Sequence, residues 1–304
     1  MSDTGSILLV ASPTMSRTPA FEHAVALARA RGAQLCVVMV DFIRSLEVFG
    51  LFNREVLTTL RESYLQMHRH WLEQEADYER RNGLDVSIQL LWAKSEFEEI
   101  SDYVRRVQPW VLIKDVHLES SLKRLFSTPL DWHLLRDCPC PVQLVTESQP
   151  VLPRKILAAV NLYRPHHHDV GLNDTILEHA SQMAACCNAS LHVLYVYDWP
   201  AIYAAGPSLL GSLPLEGGFQ EALGDAHEES FTRLNERYHI PPGHRHFLTG
   251  PPLKTINAFA RNNAFDLLVI GSLPHRTVER IMGNTAEHLL NHAPCSVSIV
   301  KACK

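Results

Sequence analysis

No stretch of the 304 residues approaches the roughly 18 consecutive apolar positions that a membrane-spanning helix needs, which argues against a span. The opening Met1-Ser2-Asp3-Thr4-Gly5-Ser6 has neither the basic start nor the apolar core of a secretory signal. Positive charge is not in excess: 28 Lys+Arg stand against 33 Asp+Glu, a net charge of −5, so a general nucleic-acid binder with a basic stripe is disfavoured. Cysteine is sparse and odd in number, seven in all, without the spacing of a disulfide framework; a reducing cytoplasm is the expected location. Glycine is scarce and uneven, with 4 of 14 in residues 1–152 and 10 in residues 153–304.

What is present is a repeat. Leu134-Leu135-Arg136-Asp137-Cys138-Pro139-Cys140-Pro141-Val142 returns as Leu289-Leu290-Asn291-His292-Ala293-Pro294-Cys295-Ser296-Val297. Glu22-His23-Ala24 returns as Glu178-His179-Ala180, and the apolar run Leu35–Val40 before Asp41 as Leu191–Tyr197 before Asp198. Matches in one order at near-constant spacing mark a tandem duplication. The expected domains are residues 1–148 and 154–304, joined by a proline-bearing linker at 149–153.

Each copy alternates nearly continuous apolar runs with amphipathic stretches. Ile7–Ala11, Leu35–Val40, Val86–Leu91, Val111–Ile113 and Val142–Val145 read as strands buried on both faces. Thr18–Arg31, Arg54–Arg81 and Glu96–Val107 read as helices, with Pro19 in a first turn and Gly32 and Gly83 as stops. The second copy gives strands at Ile156–Val160, Leu191–Val196, His246–Thr249, Leu267–Ile270 and Val297–Val300. Its helices fall at Asn173–Cys187, Phe219–Tyr238, Leu253–Asn262 and Ala286–His292. The alternation predicts two α/β domains, each a doubly wound, Rossmann-like parallel sheet of five strands.

Ligands of such sheets lie at the carboxyl ends of the strands, where strand order reverses. In the second copy that point gathers Asn161, Val196, Gly271-Ser272, His275-Arg276 and Gly283-Asn284-Thr285. Glycines admit a phosphate close to the backbone, and a helix start with free amides and a hydroxyl attracts an anion. A plain strand–helix turn and a helix cap account for the same glycines equally well.

The order of elements, Gly271-Ser272 with Gly283-Asn284-Thr285, and the closing Ala293-Pro294-Cys295-Ser296-Val297 resemble the universal stress protein family over essentially the whole chain. The resemblance implies a cytoplasmic stress-response protein of the adenine nucleotide alpha hydrolase-like fold, often a dimer, with some members binding ATP. It implies two domains packed as an intrachain pseudo-dimer, and ATP or another adenine nucleotide as the candidate cofactor of the second. In ATP-binding members the loop reads Gly, two residues, Gly, nine residues, then Gly-Ser or Gly-Thr. Here Pro274 takes the second glycine's place, eight residues separate it from Gly283, and Asn284 replaces the hydroxyl. Proline removes a donor amide, which impairs a phosphate nest. The acid that the family has after its first strand is Asn161. In the first copy Lys114-Asp115 stands for the glycine pair, and Thr128-Pro129-Leu130-Asp131 for the later motif, so that copy is not expected to hold ATP in the family manner.

Each copy also carries an apolar insertion after its second strand, at 41–52 and 199–215, the latter with Tyr203, Leu209, Leu210, Leu213 and Leu215. Loops normally face water. These read either as a lid over an apolar ligand or as packing between the domains. His166-His167-His168-Asp169 cannot easily chelate one ion, since adjacent side chains diverge, and His244-X-His246 has the better local geometry. No metal is expected from either, nor from Cys138-X-Cys140 or Cys186-Cys187; Cys186 is expected to face the core as an inert thiol. Of 17 His, 12 lie in the second half, which at ordinary pKa values would turn that half positive in mild acid.

No nucleophile elbow, triad signature or intact phosphate loop with its lysine is present in the sequence. The expected function is therefore non-catalytic, a stress-response protein with a small-molecule or nucleotide site in the second domain. The alternatives are a carrier or sensor of an apolar, lipid-like ligand and, last, a weak nucleotide hydrolase.

Overall fold

The computed structural model describes residues 5–42, 54–116, 129–147, 150–162, 171–198, 217–272 and 293–302. They fall into two compact units that divide between Leu152 and Pro153. The first runs β1 (Ile7–Val10), α1 (Pro19–Arg31), β2 (Leu35–Asp41), α2 (Arg54–Arg81), β3 (Val86–Trp92), α3 (Glu96–Val107), β4 (Val111–Asp115), α4 (Pro129–Asp137) and β5 (Val142–Val145). The second runs β6 (Lys155–Val160), α5 (Leu172–Cys187), β7 (Ser190–Tyr197), α6 (Gly217–Arg237), a 3-10 turn at Pro242–His244, β8 (Arg245–Thr249), α7 (Pro252–Asn262), β9 (Leu267–Ser272) and β10 (Ser296–Lys301).

Strand order in the first unit is β3-β2-β1-β4-β5, and in the second β8-β7-β6-β9-β10, with parallel pairing throughout. Every residue of β1, β2 and β5 is buried, as the uninterrupted apolar runs require. The order reverses between β1 and β4, and again between β6 and β9, which places a switch point at the carboxyl end of each sheet.

Local chemistry sets the ends of α1. Thr18 Oγ1 accepts the Phe21 amide at its start, Pro19 occupies the first turn, and Gly32 closes it in the left-handed region at φ 66°. Arg17 ties α1 to α2, reaching Glu22 on one side and Glu75 and Glu79 on the other, while Arg29 also meets the buried Glu79.

The repeated Glu-His-Ala has a packing reason. His23 and His179 are both buried, and each reaches the last strand of its own unit: His23 Nε2 lies 2.9 Å from Gln143 Nε2, and His179 Nε2 lies 3.1 Å from Ser298 Oγ. His23 Nδ1 also meets the Val151 carbonyl at 2.6 Å. In each unit a buried imidazole thus joins the helix to the last strand through a polar contact made inside the core.

The structure extends several strands into polar residues, β4 through Lys114-Asp115 above all. It also adds α4, a helix absent from the sequence reading; nine residues beginning at a proline are too few for a helical period to stand out. The expected helix at 286–292 lies outside the described residues.

Candidate functional site at the strand ends

The two switch points are built differently. In the first unit a cleft of about 470 Å³ opens between the ends of β1 and β4 and the first turn of α3. Val10, Val40, Phe97, Ile100 and Leu130 give it apolar walls; Ser12, Lys94, Ser95, Glu96 and His133 give it polar ones. Ser95 stands at the N-cap of α3 without a side-chain cap bond, and His133 lies over Phe97 with ring centroids 5.2 Å apart.

Two of the charges in the cleft wall, Lys114 and Asp115, are held by the protein itself. Lys114 Nζ lies 2.8 Å from an Asp131 carboxylate oxygen, and their side chains are only 6% and 3% exposed. The same ammonium donates to the Asp115 carbonyl at 3.1 Å. The Asp115 carboxylate accepts the Ala20 amide at 2.9 Å and the Thr18 hydroxyl, so it sits on the positive end of α1. A carboxylate thus occupies an anion-attracting helix start from within the fold. This gives a physical reason for the expectation that the first copy does not hold ATP in the family manner: Asp115 already fills a place that an anion would seek.

Strand register corrects one alignment. Ile7 pairs with Val111 and Val10 with Lys114, whereas Ile156 pairs with Leu267 and Ala159 with Ile270. Asp115-Val116 therefore matches Gly271-Ser272, and Lys114 matches Ile270, one residue from the sequence alignment.

In the second unit Gly271 has a packing role. A Cβ at this position would stand 2.7–2.8 Å from the Leu172 side chain, so the missing side chain makes room for the start of α5. The peptide of Asn161 is clamped by Asn173, whose Oδ1 accepts the Asn161 amide at 3.0 Å and whose Nδ2 donates to the Asn161 carbonyl at 2.8 Å. Neither Leu172 nor Asn173 stood out in the sequence, because a helix start that packs on a strand end leaves no spacing signature. Asn161, Gly271 and Ser272 lie at the ends of adjacent strands, with Val196 buried at the end of β7. His275, Arg276, Gly283, Asn284 and Thr285, the insertion residues Tyr203, Leu209, Leu210, Leu213 and Leu215, and the histidines at 166–168 lie outside the described residues.

Further polar groups line the β7–β8 edge. His192 Nδ1 lies 3.0 Å from His246 Nε2, and the His192 ring stacks on His244 at 4.0 Å. Burial pushes the His192 pKa down to about 4, helped by His244, His246 and Lys155; His246 is lowered for the same reasons. Burial also lowers His227, which accepts or donates at 2.9 Å to the Tyr195 hydroxyl. His192, His227 and His246 therefore gain their charge only at lower pH than ordinary imidazoles. Among the described residues no group of three or more His, Cys, Asp or Glu is arranged to hold a metal ion. Cys186 is half-buried rather than in the core, and burial raises the neighbouring Cys187 thiol to about 12.

Among the described residues no helix is long and apolar enough to cross a membrane. The Universal stress protein family model matches residues 5–146 and 168–301, one copy to each repeat. The chain is 26% identical to universal stress protein E of Photorhabdus laumondii, over 99% of this chain and 96% of that one. It is 25% identical to universal stress protein E of Escherichia coli K12, over 97% and 93% of the two chains. Among solved structures, a functionally unknown protein of Pseudomonas aeruginosa PAO1 superposes with a TM-score of 0.75 at 23% identity, covering 98% of this chain and 92% of that one. A universal stress protein of Archaeoglobus fulgidus gives 0.64 at 14% identity, covering 99% of both, a likeness of fold alone. Repeat, strand order and family match agree, and the chain belongs to the universal stress protein family, with one domain of that family in each half.

Proposed function

We propose that the protein is a non-catalytic, cytoplasmic binder of small molecules in the stress response, and that its two halves have taken different ligands. The observation that carries this is the charge arrangement of the first switch point. Lys114 pairs with Asp131 behind the cleft wall and Asp115 sits on a helix end, leaving apolar groups, the Ser12 and Ser95 hydroxyls, His133 and one charge of each sign, Lys94 and Glu96. Such a surface suits an uncharged or zwitterionic molecule with a flat face against Phe97, and it disfavours a triphosphate, whose charge would meet the Asp115 carboxylate.

The second half takes an adenine nucleotide or another anion around Asn161, Val196, Gly271 and Ser272, with His275, Arg276, Gly283, Asn284 and Thr285 completing the site. Support for this half comes from its family match and its glycines, and the packing of Leu172 on Gly271 makes Gly283 the residue to test. Titration calorimetry with ATP and with adenosine, alongside native mass spectrometry of the purified protein, separates the two sites. Ser12→Trp, at the cleft, abolishes adenosine binding and leaves ATP binding; Gly283→Val does the reverse. ATP turnover, or loss of both ligands in either variant, overturns the reading.

A further inference from the structure

The turn between α4 and β5 reads Cys138-Pro139-Cys140-Pro141; its two cysteines belong to the buried core of the first unit and do not line the cleft described above. The two Sγ atoms lie 3.5 Å apart. Cys138 is fully buried, and Cys140 is buried at the margin of the core with 9% of the residue exposed. The backbone bends at Pro139 and Cys140, and the fixed φ of proline holds the two side chains on the same side of that bend.

The second repeat supplies an internal control. Cys295 matches Cys140 just ahead of the last strand, but Ala293 stands where Cys138 would be. Cys295 is buried, and burial raises its thiol to about 12, which keeps it protonated and unreactive. The same bend thus forms in the second repeat with alanine at this place.

We infer that Cys138 and Cys140 form a reversible redox pair whose oxidant is a small hydroperoxide. Cys140, as thiolate, attacks one peroxide oxygen; the O–O bond breaks, and Cys140 becomes a sulfenic acid while the released hydroxide takes a proton to leave as water or, from an organic peroxide, an alcohol. Cys138 sulfur then attacks the sulfenic sulfur, the S–O bond breaks, and the second oxygen leaves as water with the Cys138 proton. Two thiols lose two electrons and two protons, and the peroxide gains them. Closure asks the sulfurs to move from 3.5 Å to about 2.05 Å, a side-chain rotation within the turn. A dithiol reductant reverses it.

Tryptic cleavage after Arg136 and Arg154 releases a peptide, Asp137–Arg154, in which these are the only cysteines. The folded full-length protein is treated with hydrogen peroxide, quenched with N-ethylmaleimide, digested and weighed. The expected product is the peptide two hydrogens lighter, unalkylated, restored by dithiothreitol, and in about tenfold excess over its sulfinic acid. Cys138→Ala, which copies the second repeat, loses the lighter product and leaves Cys140 open to alkylation or further oxidation. The inference is overturned if the wild-type peptide stays a dithiol at doses that oxidise Cys186. It is equally overturned if it gains oxygen instead of losing hydrogen, or pairs with another peptide.

Discussion

Replacing Lys114 by Met tests whether the first cleft is built on an internal ion pair. The substitution keeps the stem volume but removes the ammonium 2.8 Å from Asp131, whose side chain is 3% exposed. A carboxylate left there has lost its charge partner without gaining water. Breaking a buried pair from one side costs about 3–5 kcal/mol. For a unit of this size that is roughly 6 to 20 °C in the unfolding midpoint. Asp131→Leu alone strands the ammonium and costs a similar amount. The double variant strands neither group, and replacing a buried pair by apolar residues is neutral or stabilising by about 1–4 kcal/mol. Stability is read by urea unfolding followed in tryptophan fluorescence, which reports chiefly on the first unit, since Trp71, Trp92, Trp110 and Trp132 lie there and only Trp199 in the second half. A single variant costing under about 1 kcal/mol, or a double variant as unstable as the two singles combined, refutes the reasoning. If the double variant folds and keeps adenosine affinity, Lys114 serves the fold and not the ligand.

Acid should loosen the β7–β8 edge. The folded His192 pKa of about 4 lies below the ordinary 6.5, so the unfolded chain binds more protons between these values, and stability present above 6.5 is lost as pH falls towards 4. Melting temperature between about pH 7 and 4.5 should fall less steeply in His192→Phe than in the wild type; equal slopes remove the claim. Gly271→Val drives side-chain atoms into Leu172 and should cost about 1–3 kcal/mol, partly regained in Gly271→Val with Leu172→Ala; no rescue means the strain lies elsewhere. Asp115→Ala removes the acceptor of the Ala20 amide and the Thr18 hydroxyl, and should lower first-unit stability by about 1–2 kcal/mol in the same urea assay. If an unchanged midpoint is found, the helix-end role of Asp115 is refuted.

Strands were legible because their apolar runs are local and unbroken. Lys114 and Asp115 escaped for the same reason: a charge ended the run, although both continue β4 beside Leu144 and Val145. Helix α4 escaped through its shortness. Gly271 was legible as a necessary glycine but not as a seat for Leu172, since nothing in residues 171–173 announces where they pack. His192 carries no signal in the sequence, because its neighbours His244 and His246 come from another strand and the turn before it.

The duplication, the alternation of strands and helices, and hence a parallel strand order with a switch point in each half can be read from the residues alone. These follow from hydrophobic period and turn residues, which act over a few positions. What occupies the switch points depends on how the elements dock. The bond between Thr18 and Asp115 spans 97 residues, and the clamp of Asn173 on Asn161 depends on how a helix start meets a strand end. Such contacts are made when elements dock, and docking brings together residues whose separation along the chain carries no period to read.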